Sequence, residues 1–196
     1  PTNQTISEAL YVATILHECI RMGDAVELVT HSATVNHGGG LRKTRERVWA
    51  NPIHYAHTML GELRDGIPVA IALKSPIYKV NESFDNGVMP PLEEVPAIDA
   101  LAVLSADGSR LILSLVHRSA ETGPIELSID TGELELDAQG EVVTLCGETW
   151  WDQNTPDDPE RITPSRAALA IDRQPVMLSL PPYSYTQVIL PCREKS

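Results

Sequence analysis

Two textures of apolar and polar positions divide the chain near residue 66. Before it, apolar residues recur at helical spacing; after it, they come in short alternating or continuous runs. The first helix opens at Thr5-Ile6-Ser7-Glu8, a capping-box pattern in which the Thr5 hydroxyl and Glu8 carboxylate satisfy orphan backbone N–H groups. Ile6, Leu10, Ala13, Leu16 or His17, and Ile20 follow on one face, and Val12, Ile15 and Cys19 widen it. So broad a stripe predicts a helix covered by other structure, closed by Gly23. Asp24 leads into a strand-like segment, Ala25 to Thr30, running on towards Val35-Asn36. Gly38-Gly39-Gly40 breaks it, and a basic loop with Arg42, Lys43, Arg45 and Arg47 follows. Asn51-Pro52 starts a second helix, with Ile53, Ala56, Leu60 and Leu63 on its apolar face and Gly66 at its end. Helix, strand, glycine-rich loop and helix read as an α/β repeat entered part-way.

Beyond Gly66 the expected strands are 67–74, 98–104, 110–116, 124–130, 133–136, 141–147, 175–180 and 185–190. Turn chemistry separates them at Asp107-Gly108, Thr122-Gly123-Pro124, Thr131-Gly132 and Gln139-Gly140. Many short strands with frequent turns imply a mainly β domain, an antiparallel sandwich resembling a jelly roll. Two longer loops, 75–96 and 149–165, interrupt it.

Composition narrows the classes of function. A formal net charge of −12 argues against nucleic-acid and anionic-membrane partners and favours a neutral ligand. No apolar run approaches the roughly 20 residues that cross a bilayer. Three widely spaced cysteines, Cys19, Cys146 and Cys192, suggest no disulfide framework and point to a reduced, cytoplasmic setting.

Several stretches then stand in a telling order. Ile6-Ser7-Glu8-Ala9-Leu10-Tyr11-Val12-Ala13 is followed by Asp24-Ala25-Val26-Glu27-Leu28 through Val35-Asn36, and by Asn51-Pro52-Ile53-His54-Tyr55. Lys74-Ser75-Pro76-Ile77-Tyr78 comes next, and the chain closes on Leu180-Pro181-Pro182-Tyr183-Ser184-Tyr185-Thr186-Gln187-Val188-Ile189-Leu190. This series resembles the final third of the α-L-arabinofuranosidases of glycoside hydrolase family 51. The resemblance implies that residues 1–66 are the last helix-strand-helix elements of a (β/α)8 catalytic barrel and residues 67–196 a C-terminal β-sandwich. It also implies retaining hydrolysis of terminal α-L-arabinofuranosyl residues from arabinan- or arabinoxylan-type oligosaccharides. The family's acid/base and nucleophile glutamates lie on earlier barrel strands, so no catalytic residue is assigned to this chain. No cofactor is implied, and the expected partners are the upstream barrel, an arabinose-containing oligosaccharide and further copies of the chain. Where many family members carry a sugar-contacting Gln, this chain has Ala33.

The candidate site residues follow from the barrel reading. Active sites of such barrels occupy the carboxyl ends of the strands, which places Asn36, His37 and the glycine triplet at the mouth as candidate substrate contacts. Their alternative reading is a structural turn. The triplet with its basic neighbours lacks the spacing of a phosphate loop, and His54 with His57 lacks a third metal ligand, so no metal is expected. Glu93-Glu94 and Asp157-Asp158 read as solvated acids in loops. Trp150-Trp151 offers one ring for sugar stacking if the pair is extended, because neighbouring residues then face opposite sides; packing at a domain interface is the commoner use of such a pair. No Ser-His-Asp arrangement is readable. The rival reading is an independent carbohydrate-binding or oligomerisation β-sandwich.

Overall fold

A computed structural model describes residues 4–81, 90–119 and 123–193. Residues 1–3, the middle of the expected 75–96 loop and Thr122 of one expected turn lie outside the described residues.

Two helices, α1 (Ile6–Arg21) and α2 (Pro52–Leu60), precede the main strands. Between them lie a 3-10 turn, a short hairpin, β1 (Leu41–Lys43) and β2 (Val48–Ala50), and irregular chain. The remaining strands are β3 (Ile67–Val69), β4 (Ile77–Val80), β5 (Leu92–Pro96), β6 (Ile98–Leu104), β7 (Arg110–His117), β8 (Ile125–Ile129), β9 (Gln139–Cys146), β10 (Ser165–Ala170), β11 (Val176–Leu180) and β12 (Ser184–Pro191). Six of them form one antiparallel sheet in the order β10-β9-β12-β7-β6-β3. The strands β8 and β11 pair separately, as do β4 and β5.

The central sheet is covered on both faces, and its residues alternate between two cores. Leu101, Val103, Ile112, Val116, Val143, Leu145, Tyr185 and Ile189 face α1 and α2, packing with Ile6, Ala9, Leu10, Ala13, Ile53 and Ala56. Ala100, Ala102, Leu111, Leu113, Leu115, Val188 and Leu190 face the other way, against Ile129, Val176 and Leu180 of the β8–β11 pair. This double cover is why β7 and β12 are buried almost continuously instead of on alternate residues. Each fully buried Leu or Ile contributes about 1.5–3 kcal/mol. The first core runs across residue 66, so the helices and the sheet stabilise one another.

The mainly β, antiparallel fold class expected from the pattern is present, and several details differ. The expected strand at 67–74 is only β3 (Ile67–Val69), and the expected loop 75–96 contains β4 and β5. The segment from Ala25 to Asn36 is not a strand: a short 3-10 turn (Gly23–Ala25) leads into irregular chain, with Leu28 and Val29 exposed. A parallel strand needs neighbours to accept its hydrogen bonds, and among the described residues only a single bridge, Val35 to Leu41, joins this segment to a strand. The capping box does not form; Thr5 Oγ1 bonds the Ser7 hydroxyl at 2.8 Å, and no side chain caps α1. The expected strand at 133–136 is reduced to a single bridge, Leu136 to Cys192. Finally, α2 ends at Leu60 and a 3-10 turn carries the chain to Leu63. Gly66 is required there for space, since a Cβ would lie 2.3 Å from Val103 Cγ1.

Candidate functional site

Both helices begin against the same loop, residues 149–165. The backbone N–H of Ile6 donates to the Asp152 carbonyl at 2.8 Å, and Thr5 bridges Gln153. Just before α2, the buried Asn154 amide donates to Ala50 O at 2.8 Å and to Ile162 O at 2.9 Å. Arg47, in the turn of the β1–β2 hairpin, pairs with Asp157 and the Pro156 carbonyl, each at 2.8 Å. Partial burial, and then the nearby Glu160 charge, push the Tyr55 phenol up. The loop, the hairpin and the two helix starts therefore form one cluster at one end of the molecule.

Asn36 lies at this end in the left-handed region, at φ 59°. Its amide oxygen accepts from Lys43 N at 2.8 Å and its Nδ2 donates to Lys43 O at 3.1 Å, so both polar atoms engage the hairpin backbone. His37 is exposed beside it. The glycine triplet closes on its own chain. At Gly40 (φ 91°), a Cβ would lie 2.6 Å from His54 N, and at Gly38 one would lie 2.4 Å from His31 Nε2. The triplet thus lets the 31–40 turn seat against α2, a use that any side chain would block.

Histidines meet beneath that turn. His31 Nδ1 and His57 Nε2 share a hydrogen bond at 2.9 Å, with one ring the donor and the other the acceptor. Partial burial, then the neighbouring His31 and His54, hold His57 below the ordinary histidine range. Among the described residues no group of three or more His, Cys, Asp and Glu side chains is placed to hold a metal ion. Of the loop acids, Glu93 pairs with Lys79 and Asp157 with Arg47.

The structure does bring together a serine, a histidine and an aspartate that the sequence did not reveal. His17 of α1 lies 2.6 Å from Asp99 through Nδ1 and 2.7 Å from Ser114 Oγ through Nε2. The Tyr185 hydroxyl bonds Ser114 Oγ at 2.9 Å, and Gln187 Nε2 donates to Tyr185 at 3.0 Å and to the Met59 carbonyl at 2.8 Å. Because Gln187 donates to the tyrosine, the Tyr185 hydroxyl donates on to Ser114 Oγ, and His17 Nδ1–H donates to the Asp99 carboxylate. Burial alone would raise the Asp99 carboxyl, but the His17 bond and the His17 and Arg21 charges outweigh it and hold the group low. Burial pushes the Tyr185 phenol far up. His17, Ser114 and Tyr185 are wholly enclosed, so no substrate reaches the serine. The network ties α1 and α2 to β6, β7 and β12; it is a structural clamp. Its one sequence signal is Ser114, a lone polar residue in the run Leu111-Ile112-Leu113-Ser114-Leu115-Val116.

With this arrangement in view, comparison with known proteins is decisive for the family. The family model described as the α-L-arabinofuranosidase C-terminal domain matches residues 2–184. The chain belongs to that family. Solved structures extend the likeness to the whole fold of this C-terminal domain. An α-L-arabinofuranosidase from Thermotoga maritima, solved with arabinose, is 20% identical, with a TM-score of 0.82 over 93% of this chain and 38% of its own. A family 51 α-L-arabinofuranosidase from Bifidobacterium longum is 22% identical, with a TM-score of 0.78 over 95% of this chain and 35% of its own. The family 51 arabinofuranosidase from Xanthomonas axonopodis pv. citri is 18% identical, with a TM-score of 0.75 over 92% and 35%. No curated protein matches the sequence. The chain thus spans well under half the length of the solved enzymes it resembles. No helix among the described residues is long and apolar enough to cross a membrane.

Proposed function

We propose that this chain is the C-terminal portion of a retaining α-L-arabinofuranosidase that releases terminal arabinofuranosyl residues from arabinan- or arabinoxylan-type oligosaccharides. The observation that carries the proposal is the family match over residues 2–184, joined to folds shared with solved arabinofuranosidases. In this reading residues 1–66 complete an upstream (β/α)8 barrel and residues 67–196 form the sandwich packed on it. The barrel supplies the two carboxyl groups, about 5–5.5 Å apart, that retaining hydrolysis requires. The apolar residues left outside support an upstream partner. Tyr11, Ile15 and Met22 project from the outer side of α1, and Leu28, Val29 and Val35 from the segment after it, all exposed. On this reading a barrel strand at residues 26–33 finds its hydrogen-bonding neighbours in that partner, which accounts for its irregular path here.

Asn36 and His37 are then placed at the mouth of the barrel. The pairing of Asn36 with Lys43 favours a role in shaping the turn, and exposed His37 is the better donor to a sugar hydroxyl. Three free cysteines are in keeping with a cytoplasmic enzyme, and a homo-oligomer is the expected assembly. The test is hydrolysis of nitrophenyl α-L-arabinofuranoside by the 196-residue chain and by the longer protein that carries it. An inert chain and an active longer protein are expected. An active chain would place the catalytic carboxylates within these residues and refute the division.

A further inference from the structure

We propose that Trp151 is a sugar-stacking platform on the rim of the barrel's catalytic face, gripping the neutral backbone of a polymeric substrate outside the site that holds the arabinose. The proposal rests on the barrel reading above and adds a residue from the sandwich half of the chain.

Placement is the first argument. In a (β/α)8 barrel each helix starts from the carboxyl end of a strand, the face that carries the active site. Both α1 and α2 start against the 149–165 loop, through Ile6 to Asp152 at one helix and Asn154 to Ala50 at the other. The loop therefore stands at the catalytic face, although it belongs to the sandwich by sequence.

Presentation is the second. The tandem tryptophans point apart: the Trp150 ring packs edge-on against Tyr183, with centroids 4.6 Å apart, while Trp151 is 65% exposed. The turn beneath Trp151 is held from several sides. Asp152 Oδ2 accepts from the Glu148 N–H at 2.7 Å and the Thr149 N–H at 3.0 Å, and Oδ1 takes Thr149 Oγ1 at 3.2 Å and Arg161 at 3.3 Å. Burial alone would raise the Asp152 carboxyl, but these bonds and then the Arg161 charge outweigh it and hold the group low. A ring carried on a braced backbone turn loses less freedom on taking a ligand than one on a mobile loop.

Chemistry is the third. One face of a sugar ring presents C–H groups that suit an aromatic surface, and its hydroxyls suit charged neighbours. Arg161, which remains half exposed while it holds Asp152, stands in the same loop. The net charge of −12 selects a neutral polymer over an acidic one.

The experiment has two readouts. In the first, a xylo-oligosaccharide carrying arabinose is titrated into the chain with its tryptophans labelled with 15N, each indole resonance assigned by single Trp→Phe variants. The Trp151 indole should shift with a millimolar dissociation constant while Trp49 stays still, and Trp151→Ala should abolish the effect. In the second, the longer enzyme is assayed as wild type, Trp151→Ala and Trp151→Phe. Trp151→Ala should lower kcat/KM on arabinoxylan about tenfold and leave nitrophenyl α-L-arabinofuranoside unchanged, with Trp151→Phe retaining most of the activity. An unmoved Trp151 indole overturns the platform, as does an active enzyme in which Trp151→Ala changes both substrates equally or neither. A lowered melting temperature of the longer enzyme without any sugar response would make Trp151 an interdomain contact instead. An enzyme inert on every arabinofuranoside whose Trp151 indole still shifts would refute the reaction while upholding the sugar platform.

Discussion

The strand β12 and the helix α1 are both strongly apolar, yet only β12 has its apolar surface covered within this chain. Seven of its eight residues are buried, because the helices take one side and the β8–β11 pair the other. α1 buries Ile6, Ala9, Leu10 and Ala13 against the sheet and leaves Tyr11 61% and Ile15 38% exposed. The difference separates what the chain finishes by itself from what it prepares for more protein. Stability resides in the sheet and its inner helical faces; on the proposed reading, the outer face of α1 and the segment after it are where further protein docks.

Substitutions should divide along the same line. The largest effect is expected from Leu145→Ala, which removes a wholly buried side chain under the helices. It should cost about 2–5 kcal/mol in a denaturant titration of the isolated chain. Next comes Ser114→Ala, which strands His17 Nε2 and the Tyr185 hydroxyl in the interior at a cost of about 1–3 kcal/mol. At the other extreme, Tyr11→Ser should change the isolated chain by no more than about 0.5 kcal/mol, while weakening the longer protein measurably. Equal losses in the two contexts would erase the distinction drawn here.

Acid provides a subtler way to separate the regions. His57 and His117 are both held low, chiefly by burial, so the fold resists protonating them. Their contribution is full above the ordinary histidine pKa of 6.5 and shrinks as the pH falls below it. Asp99 is held below its ordinary 3.8, so its contribution persists into acid and is lost only as the pH drops through that lowered value. Thermal melts of His57→Asn between pH 7 and pH 5 should show a shallower decline than wild type. Melts of Asp99→Asn should lose their dependence mainly below pH 4, where the helix-to-sheet clamp titrates.

The legible parts of this fold were those with two-sided burial. The runs 98–104, 110–116, 141–147 and 185–190 reappear as β6, β7, β9 and β12 with ends displaced by no more than a few residues. The β1–β2 hairpin was hidden under a cluster of basic residues, and its fixing contacts come from Asn36, outside the strands. β10 was hidden by its composition, Ser-Arg-Ala-Ala-Leu-Ala, which favours no sheet until β9 pairs with it. The segment from Ala25 to Thr30 erred in the other direction: its residues suit a strand, but strand formation is decided by neighbours. At the candidate site, the sequence marked Asn36, His37 and the tandem tryptophans but not their setting. Contacts such as Asn154 to Ala50, spanning more than a hundred residues, have no local signature. The buried clamp joins positions 17, 99, 114, 185 and 187 and was equally invisible.

Amide exchange tests the contrast between finished and unfinished regions most directly, measured side by side on this chain and on the longer protein that carries it. Residues 26–35 should exchange rapidly in the 196-residue chain and slowly in the longer protein, while β7 and β12 remain equally protected in both. Strong protection of 26–35 in the isolated chain, or its absence in both proteins, would contradict the view that this segment is completed by upstream structure.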